Sequence, residues 1–323
     1  MEFHGGTMDE SVIDFSISVN SYMPTWKDQL FKRCAEISNK YLYVEWIEER
    51  FKEKFGKDTV ILAGATEAFQ IVGFTIMNDA NVVIPLPSYG EYERIASYMA
   101  KRVFKVPSKN EIDLNLDSAF DLAKKLSNNG KSVIILGNPN NPTGKYLKMR
   151  DDLEDLANKV TIVLDEAFVD FVDEKLRWNV DHPNIIIVRS FTKSYGMPGV
   201  RVGYVKTENF KKHFEKYRSP WALGSCGYAF VEFLIEDDGT FLFKSMQSIK
   251  AESKKFENFG IFTDANFGVL KVKNAHEVQK NLDKLGIHVR NCESFGLYDR
   301  IRVSIRKTEE NERLFESLRK VIR

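Results

Sequence analysis

Short apolar runs recur through the first two thirds of the chain: NVVIP (81–85), SVIILG (132–137), TIVLD (161–165), NIIIV (184–188) and RVGYV (201–205). Each is brief, rich in β-branched residues and bounded by turn formers, the pattern of strands buried on both faces. Helix-like segments at 66–77, 88–100, 117–128 and 148–158 lie among them. This alternation predicts an α/β fold with a mostly parallel sheet. Beyond about residue 206 the pattern changes. Longer helical stretches (207–218, 221–236, 240–257) lead into short strands near 261–272, 287–290 and 301–305, then a closing helix at 308–322. The expected organisation is an N-terminal arm over 1–25, a large domain over 26–215 and a smaller α+β domain over 216–323.

Composition narrows the function classes. The 323 residues carry 47 Lys+Arg against 46 Asp+Glu, which gives no global electrostatic case for nucleic acid or an anionic membrane. The start, MEFHGGTMDE, is polar and acidic rather than a signal peptide, and no apolar run approaches the roughly 18 residues of a membrane span. Cys34, Cys226 and Cys292 are scattered and form no CxxC, so neither a disulfide framework nor a zinc site is expected. The five histidines do not cluster. A soluble cytoplasmic protein is the expectation.

In open α/β sheets, chemistry gathers at the carboxyl ends of the strands. Four such ends carry unusual residues: Tyr89 in PLPSYGEY, Asn138 and Asn141 in NPNNPTG, Asp165 in LDEAF, and Ser190, Thr192 and Lys193 in RSFTK. Singly, each has an ordinary structural role as a turn, a helix cap or a solvated loop residue. Together they fit one chemistry. A lysine amine can hold an aldehyde cofactor as a Schiff base, and a carboxylate can pair with a protonated ring nitrogen. That pairing marks a pyridoxal phosphate site. An aromatic ring can stack on the cofactor, and an amide can donate to its phenolate oxygen. Gly64, Ala65 and Thr66 in LAGATEAFQIV open a helix whose N-terminus suits a phosphate, and Ser190 and Arg201 add a hydroxyl and a cation.

The motifs Gly-Ala-Thr, P-S-Y, N-P-x-N-P-T-G, D-E-A-F and S-x-x-K, with an arginine eight residues after that lysine, occur in the order of a known family. The chain resembles fold-type I pyridoxal-phosphate enzymes of the aminotransferase class I/II family over nearly its whole length. The resemblance implies a large domain around a seven-stranded sheet and a smaller C-terminal domain. It makes Lys193 the cofactor-bound lysine and assigns Asp165 to the ring nitrogen, Asn141 to the phenolate oxygen and Tyr89 to the ring face. Ala65, Thr66, Ser190 and Arg201 go to the cofactor phosphate. It also implies a homodimer in which a tyrosine, Tyr41 or Tyr43 in NKYLYVEW, reaches the other subunit's phosphate; the family's Tyr-Pro dipeptide is absent here.

Three features resemble a particular branch, that of L-threonine-O-phosphate decarboxylase, from cobalamin biosynthesis, and histidinol-phosphate aminotransferase. FHGG (3–6) followed by IDFSISVN (13–20) resembles the decarboxylase N-terminus, although VNSYMP replaces the usual Asn-Pro. Phe168 stands where the aminotransferases usually have tyrosine. Residues 287–314 resemble the decarboxylase C-terminus, in which Arg302 matches the clamp for the substrate carboxylate. Arg290 and Arg306, with His4, are then expected to recognise a substrate phosphate. Three readings stay open: a decarboxylase on threonine phosphate, an aminotransferase on histidinol phosphate or another amino acid, and a catalytically silent cofactor-binding regulatory protein.

Overall fold

The computed structural model describes residues 5–322. After a short arm strand, β1 (Ile13–Asp14), seven strands build one sheet: β2 (Thr59–Leu62), β3 (Asn81–Pro85), β4 (Arg102–Val106), β5 (Ser132–Gly137), β6 (Thr161–Asp165), β7 (Ile185–Ser190) and β8 (Gly203–Lys206). Their order is β2-β8-β7-β6-β5-β3-β4. The ladders joining β3 to β4 and running from β3 through β5 and β6 to β7 are parallel; β8 is antiparallel to both of its neighbours. The apolar runs read as strands are therefore strands, and they lack alternation because both faces are covered: β3, β5 and nearly all of β6 and β7 are buried.

Two strands of this sheet carry no such signal. β4, RVFKV, is an edge strand whose Arg102 and Lys105 face solvent, a charge pattern that also blunts the edge. β2 is only four residues long. The helix expected over 66–77 begins at Gly64 and runs to Ile71, then widens into a π-type turn over Val72–Ile76. The one expected over 148–158 shrinks to Leu153–Ala157.

The C-terminal part forms β9 (Phe267–Lys271), β10 (Ile287–His288), β11 (Arg290–Asn291) and β12 (Arg300–Ser304). The order β11-β12-β9 makes an antiparallel sheet, while β10 pairs in parallel with β1 of the arm. The single strand expected near 287–290 is thus two, because the chain changes partner at Val289 from the arm to β12. Phe15 of the arm is fully buried in the same apolar cluster as Ile287, Ile301, Val303 and Leu314, which fixes the arm's path beside the sheet edge.

The expectation of no disulfide is corrected. Cys34 and Cys226 are bonded, with Cα atoms 4.5 Å apart across a sequence separation of 192. Helices Lys27–Glu36 and Ser225–Glu236 pack together in one cluster with Leu30, Phe191, Tyr204 and Phe230, and this packing brings the two cysteines face to face. Spacing along the chain carries no trace of such a contact. Cys292 is free and buried.

Candidate active site

Lys193 sits in a one-turn helix, Phe191–Ser194, at the carboxyl end of β7. Its backbone carbonyl accepts a hydrogen bond from the Asn20 N–H of the arm at 2.9 Å. Burial, with the nearby Arg302 and Arg201 guanidinium groups, brings its amine down to about 8, and Asp165 opposes that shift. Asp165 ends the neighbouring strand β6. Burial pushes its carboxyl up to about 6, against hydrogen bonds that favour the anion. Those bonds come from the Tyr92 hydroxyl to Oδ2 at 2.5 Å and from the Ala167 N–H to Oδ1 at 2.9 Å. A buried amine below its ordinary range, set near a buried carboxyl above its own, is the kind of perturbed pair that marks chemistry.

A second group of residues lies at the start of helix Gly64–Ile71. Gly64 holds φ +78°, and a Cβ there would stand 2.8 Å from Arg201 Nη2. A Cβ on Gly203 would stand 3.0 Å from the Ala65 nitrogen. Both glycines therefore let the start of this helix, β8 and the Arg201 guanidinium pack closely together. Arg201 itself has φ +53°, an uncommon conformation for a residue with a side chain, and its Nη2 lies 3.4 Å from Thr66 Oγ1. The hydroxyls of Ser190 and Thr192, both buried, are 2.8 Å apart. Glu67 steadies the loop by accepting the Ala63 N–H at 2.6 Å and the Ser219 N–H at 3.2 Å.

Asn141, beyond the end of β5, accepts a hydrogen bond from Arg302 Nη1 at 2.5 Å. The Asn141 amide nitrogen is thereby turned away from that guanidinium. Arg302 is buried, also donates to the Ser16 carbonyl at 2.8 Å, and lies over the rings of Phe267 and Phe295 at 5.3 and 5.8 Å. Burial, together with Arg290, lowers the Arg302 guanidinium to about 10. Arg290 is its register partner on β11 and shares the Phe295 ring at 5.7 Å. Arg306 lies beyond the end of β12; it donates to the Asp14 carbonyl at 3.1 Å and pairs with Glu310 at 2.8 Å. Tyr89 precedes helix Gly90–Met99, is partly buried, and meets Tyr92 edge-on at 5.6 Å. Its phenol is pushed up to about 12 by burial and by nearby Glu91 and Asp165. Phe168 packs edge-on against Phe267 at 4.7 Å.

Lys193, Asp165, Asn141, Ser190, Arg201, Ala65 and Thr66 thus come from separate strand ends to one edge of the sheet. Tyr41 is exposed and lies against Trp221 at 4.9 Å, beside Tyr43 and Trp46. His4 lies outside the described residues. Sequence reasoning missed Tyr92, whose only signal was a second tyrosine one helical turn after Tyr89. It also missed Asn20, which donates to the Ser194 carbonyl at 2.8 Å and to Ser245 Oγ at 3.1 Å.

The donor set fits pyridoxal phosphate. An amine, a buried carboxylate, an amide and an aromatic ring lie near a helix N-terminus that Gly64 brings close to the Arg201 guanidinium. Comparison with known proteins agrees. The sequence profile of the family described as aminotransferase class I and II matches residues 18–318. A protein of Caldanaerobacter subterraneus, provisionally named threonine-phosphate decarboxylase, is 29% identical over 260 residues, 73% of this chain and 70% of that protein. Histidinol-phosphate aminotransferase 2 of Archaeoglobus fulgidus is 28% identical over 335 residues, 97% of this chain and 94% of that one. The fold matches the histidinol-phosphate aminotransferase of Sinorhizobium meliloti, solved in complex with pyridoxal-5′-phosphate, with a TM-score of 0.82 at 20% identity, covering 95% and 90% of the two chains. Among the described residues no helix is long and apolar enough to cross a membrane.

Proposed function

Because the chain belongs to the aminotransferase class I and II family, whose enzymes depend on pyridoxal phosphate, we propose that it acts on a phosphorylated amino acid or amine, most like L-threonine-O-phosphate decarboxylase. Bound cofactor supplies an electron sink that weakens one bond to the substrate's Cα. The chain's residues supply the rest. Lys193 would hold the cofactor and, once released by the substrate amine, move a proton at Cα; burial weakens the amine's hold on its proton, which suits that task. Asp165 would pair with the ring nitrogen and favour its protonated form, and the Asn141 amide nitrogen, left free by the Arg302 bond to its oxygen, would donate to the phenolate oxygen. Ala65, Thr66, Ser190 and Arg201 hold the cofactor phosphate.

The observation that carries the substrate class is the pairing of Arg302 with Arg290. Two guanidinium groups share one face of β11-β12 and one aromatic ring, and Arg302 is buried with its Nε lacking a hydrogen-bond partner. Like charges so placed favour an anionic ligand. Arg302 takes a carboxylate in this reading, while Arg290 and His4 take a phosphate. Arg306 joins them only by exchanging its Glu310 pair for that phosphate. Phe168, which has no hydroxyl to offer the phenolate oxygen, fits the decarboxylase reading. Histidinol-phosphate aminotransferase is the second reading, favoured by the near full-length likeness to the Archaeoglobus protein. Residues 1–25, 26–215 and 216–323 are taken as arm, large domain and small domain. A cytoplasmic homodimer is proposed, with the exposed aromatics Tyr41, Tyr43, Trp46 and Trp221 beneath the second copy.

The test is carbon dioxide release from threonine phosphate beside keto-acid-dependent transamination of histidinol phosphate, each with wild type, Arg302→Ala and Arg306→Ala. The decarboxylase reading expects turnover of the first substrate, a strong preference over unphosphorylated threonine, and its loss in Arg302→Ala. Turnover of histidinol phosphate alone contradicts it.

A further inference from the structure

Between Tyr89 and Asp165 lies a side chain that the motifs do not single out. Tyr92 is 1% exposed, buried between Phe69 of helix Gly64–Ile71 and Tyr89, at ring separations of 5.5 and 5.6 Å. Its hydroxyl crosses the sheet edge to donate to Asp165 Oδ2 at 2.5 Å. The route is open because the ladder partner of Asp165 on β5 is Gly137. A Cβ on Gly137 would stand 3.1 Å from the Tyr92 hydroxyl, so a side chain there would press on the phenol. The other carboxylate oxygen is held by the Ala167 N–H. A carboxylate this deeply buried ordinarily takes up a proton and becomes a donor. Here one fixed donor reaches each oxygen, which favours the anion against burial, so that near neutrality both oxygens act as acceptors.

We propose that Tyr92 is a positioning residue for the reaction: its hydroxyl, admitted by Gly137, keeps Asp165 an oriented, acceptor-only carboxylate, so that the shared proton stays on the cofactor ring nitrogen. This rests on the reading that Asp165 meets that nitrogen. Without the Tyr92 proton the carboxylate becomes more basic, competes for the proton and is free to turn. Tyr92 touches no substrate, so its loss lowers turnover while leaving substrate binding nearly unchanged.

The experiment loads the full-length holoenzyme with pyridoxal phosphate labelled with ¹⁵N in the ring and reads the nitrogen shift at one pH near neutrality. Wild type, Tyr92→Phe, Asp165→Asn and the double variant are compared, with kcat and KM measured on the same samples. Tyr92→Phe is expected to move the ring nitrogen toward its unprotonated shift. It should lower kcat about ten- to a hundred-fold, the worth of one hydrogen bond to a charged group, with KM within about threefold. In the Asp165→Asn background the same change is expected to lower kcat no further. Should Tyr92→Phe not fold, Gly137→Ala presses on the hydroxyl from the opposite side and is expected to move the shift in the same direction, by less. A purely structural tyrosine would lower the melting temperature and leave the nitrogen shift where it is, which overturns the proposal. If Asp165→Asn moves the shift and Tyr92→Phe does not, the Tyr92 proposal alone fails. If neither moves it, the reading of Asp165 fails and Tyr92 with it.

Discussion

Replacing Asp165 by asparagine separates what the carboxylate costs the fold from what it gives the reaction. The change is nearly isosteric. The new amide oxygen can still accept the Ala167 N–H, and the Tyr92 hydroxyl can turn to accept from the amide nitrogen. Only the charge is lost. In the folded cofactor-free protein the carboxyl stands near 6, above its ordinary 3.8. Between those values the folded state binds a proton that the unfolded chain has released, so stability falls as pH rises through the window. Above it the buried anion is a standing cost of about 3 kcal/mol, since each unit is worth about 1.4 kcal/mol. The melting midpoint of the cofactor-free Asp165→Asn variant should therefore gain on wild type between pH 4 and pH 7. Turnover should move the other way. Losing an ion pair of roughly 3–5 kcal/mol at the ring nitrogen corresponds to about a hundred- to several-thousand-fold in rate. The assays are thermal melts across pH and steady-state kinetics of the loaded enzyme. Parallel pH profiles for the two proteins would refute the burial argument, and near-normal turnover would refute the assigned role.

Other consequences are simpler to test. Arg201→Ala should weaken pyridoxal phosphate binding about ten- to a hundred-fold by fluorescence titration, the worth of one charge-assisted contact. Because Lys193 sits near 8, the rate of cofactor uptake by the cofactor-free protein should climb with pH through a midpoint near 8; in Arg302→Ala that midpoint should move upward, since that guanidinium helps hold the amine down. Under denaturing, non-reducing conditions one thiol, Cys292, should titrate, and Cys34→Ser should melt lower. The loop-entropy ceiling for a closure this long is roughly 5 kcal/mol. A second reactive thiol in the wild type would deny the Cys34–Cys226 bond.

The sheet and the polar residues at its edge were legible because they share one cause. Strands buried on both faces read as unbroken apolar runs, and β3, β5, β6 and β7 each end where such a run meets Pro, Asn, Asp or Ser. Features that depend on a distant partner left no local trace. β4 alternates charge with apolar residues because it borders solvent, and β1 exists only because Ile287 lies opposite Ile13. The disulfide follows from helix packing across 192 residues. Tyr92 looks like any core aromatic on its helix; its role appears only when Gly137 and Asp165 are seen side by side. Arg306, expected at a substrate phosphate, lies past the end of β12 at Ser304, and its side chain turns to Asp14 and Glu310.

That Lys193 is the residue joined to pyridoxal phosphate is tested most directly by borohydride reduction of the loaded protein, digestion and mass spectrometry of the peptides. The cofactor mass should appear on the peptide containing Lys193, and the near-visible absorbance of the loaded protein should be missing in Lys193→Ala. A label on any other lysine, with Lys193 unmodified, would contradict it.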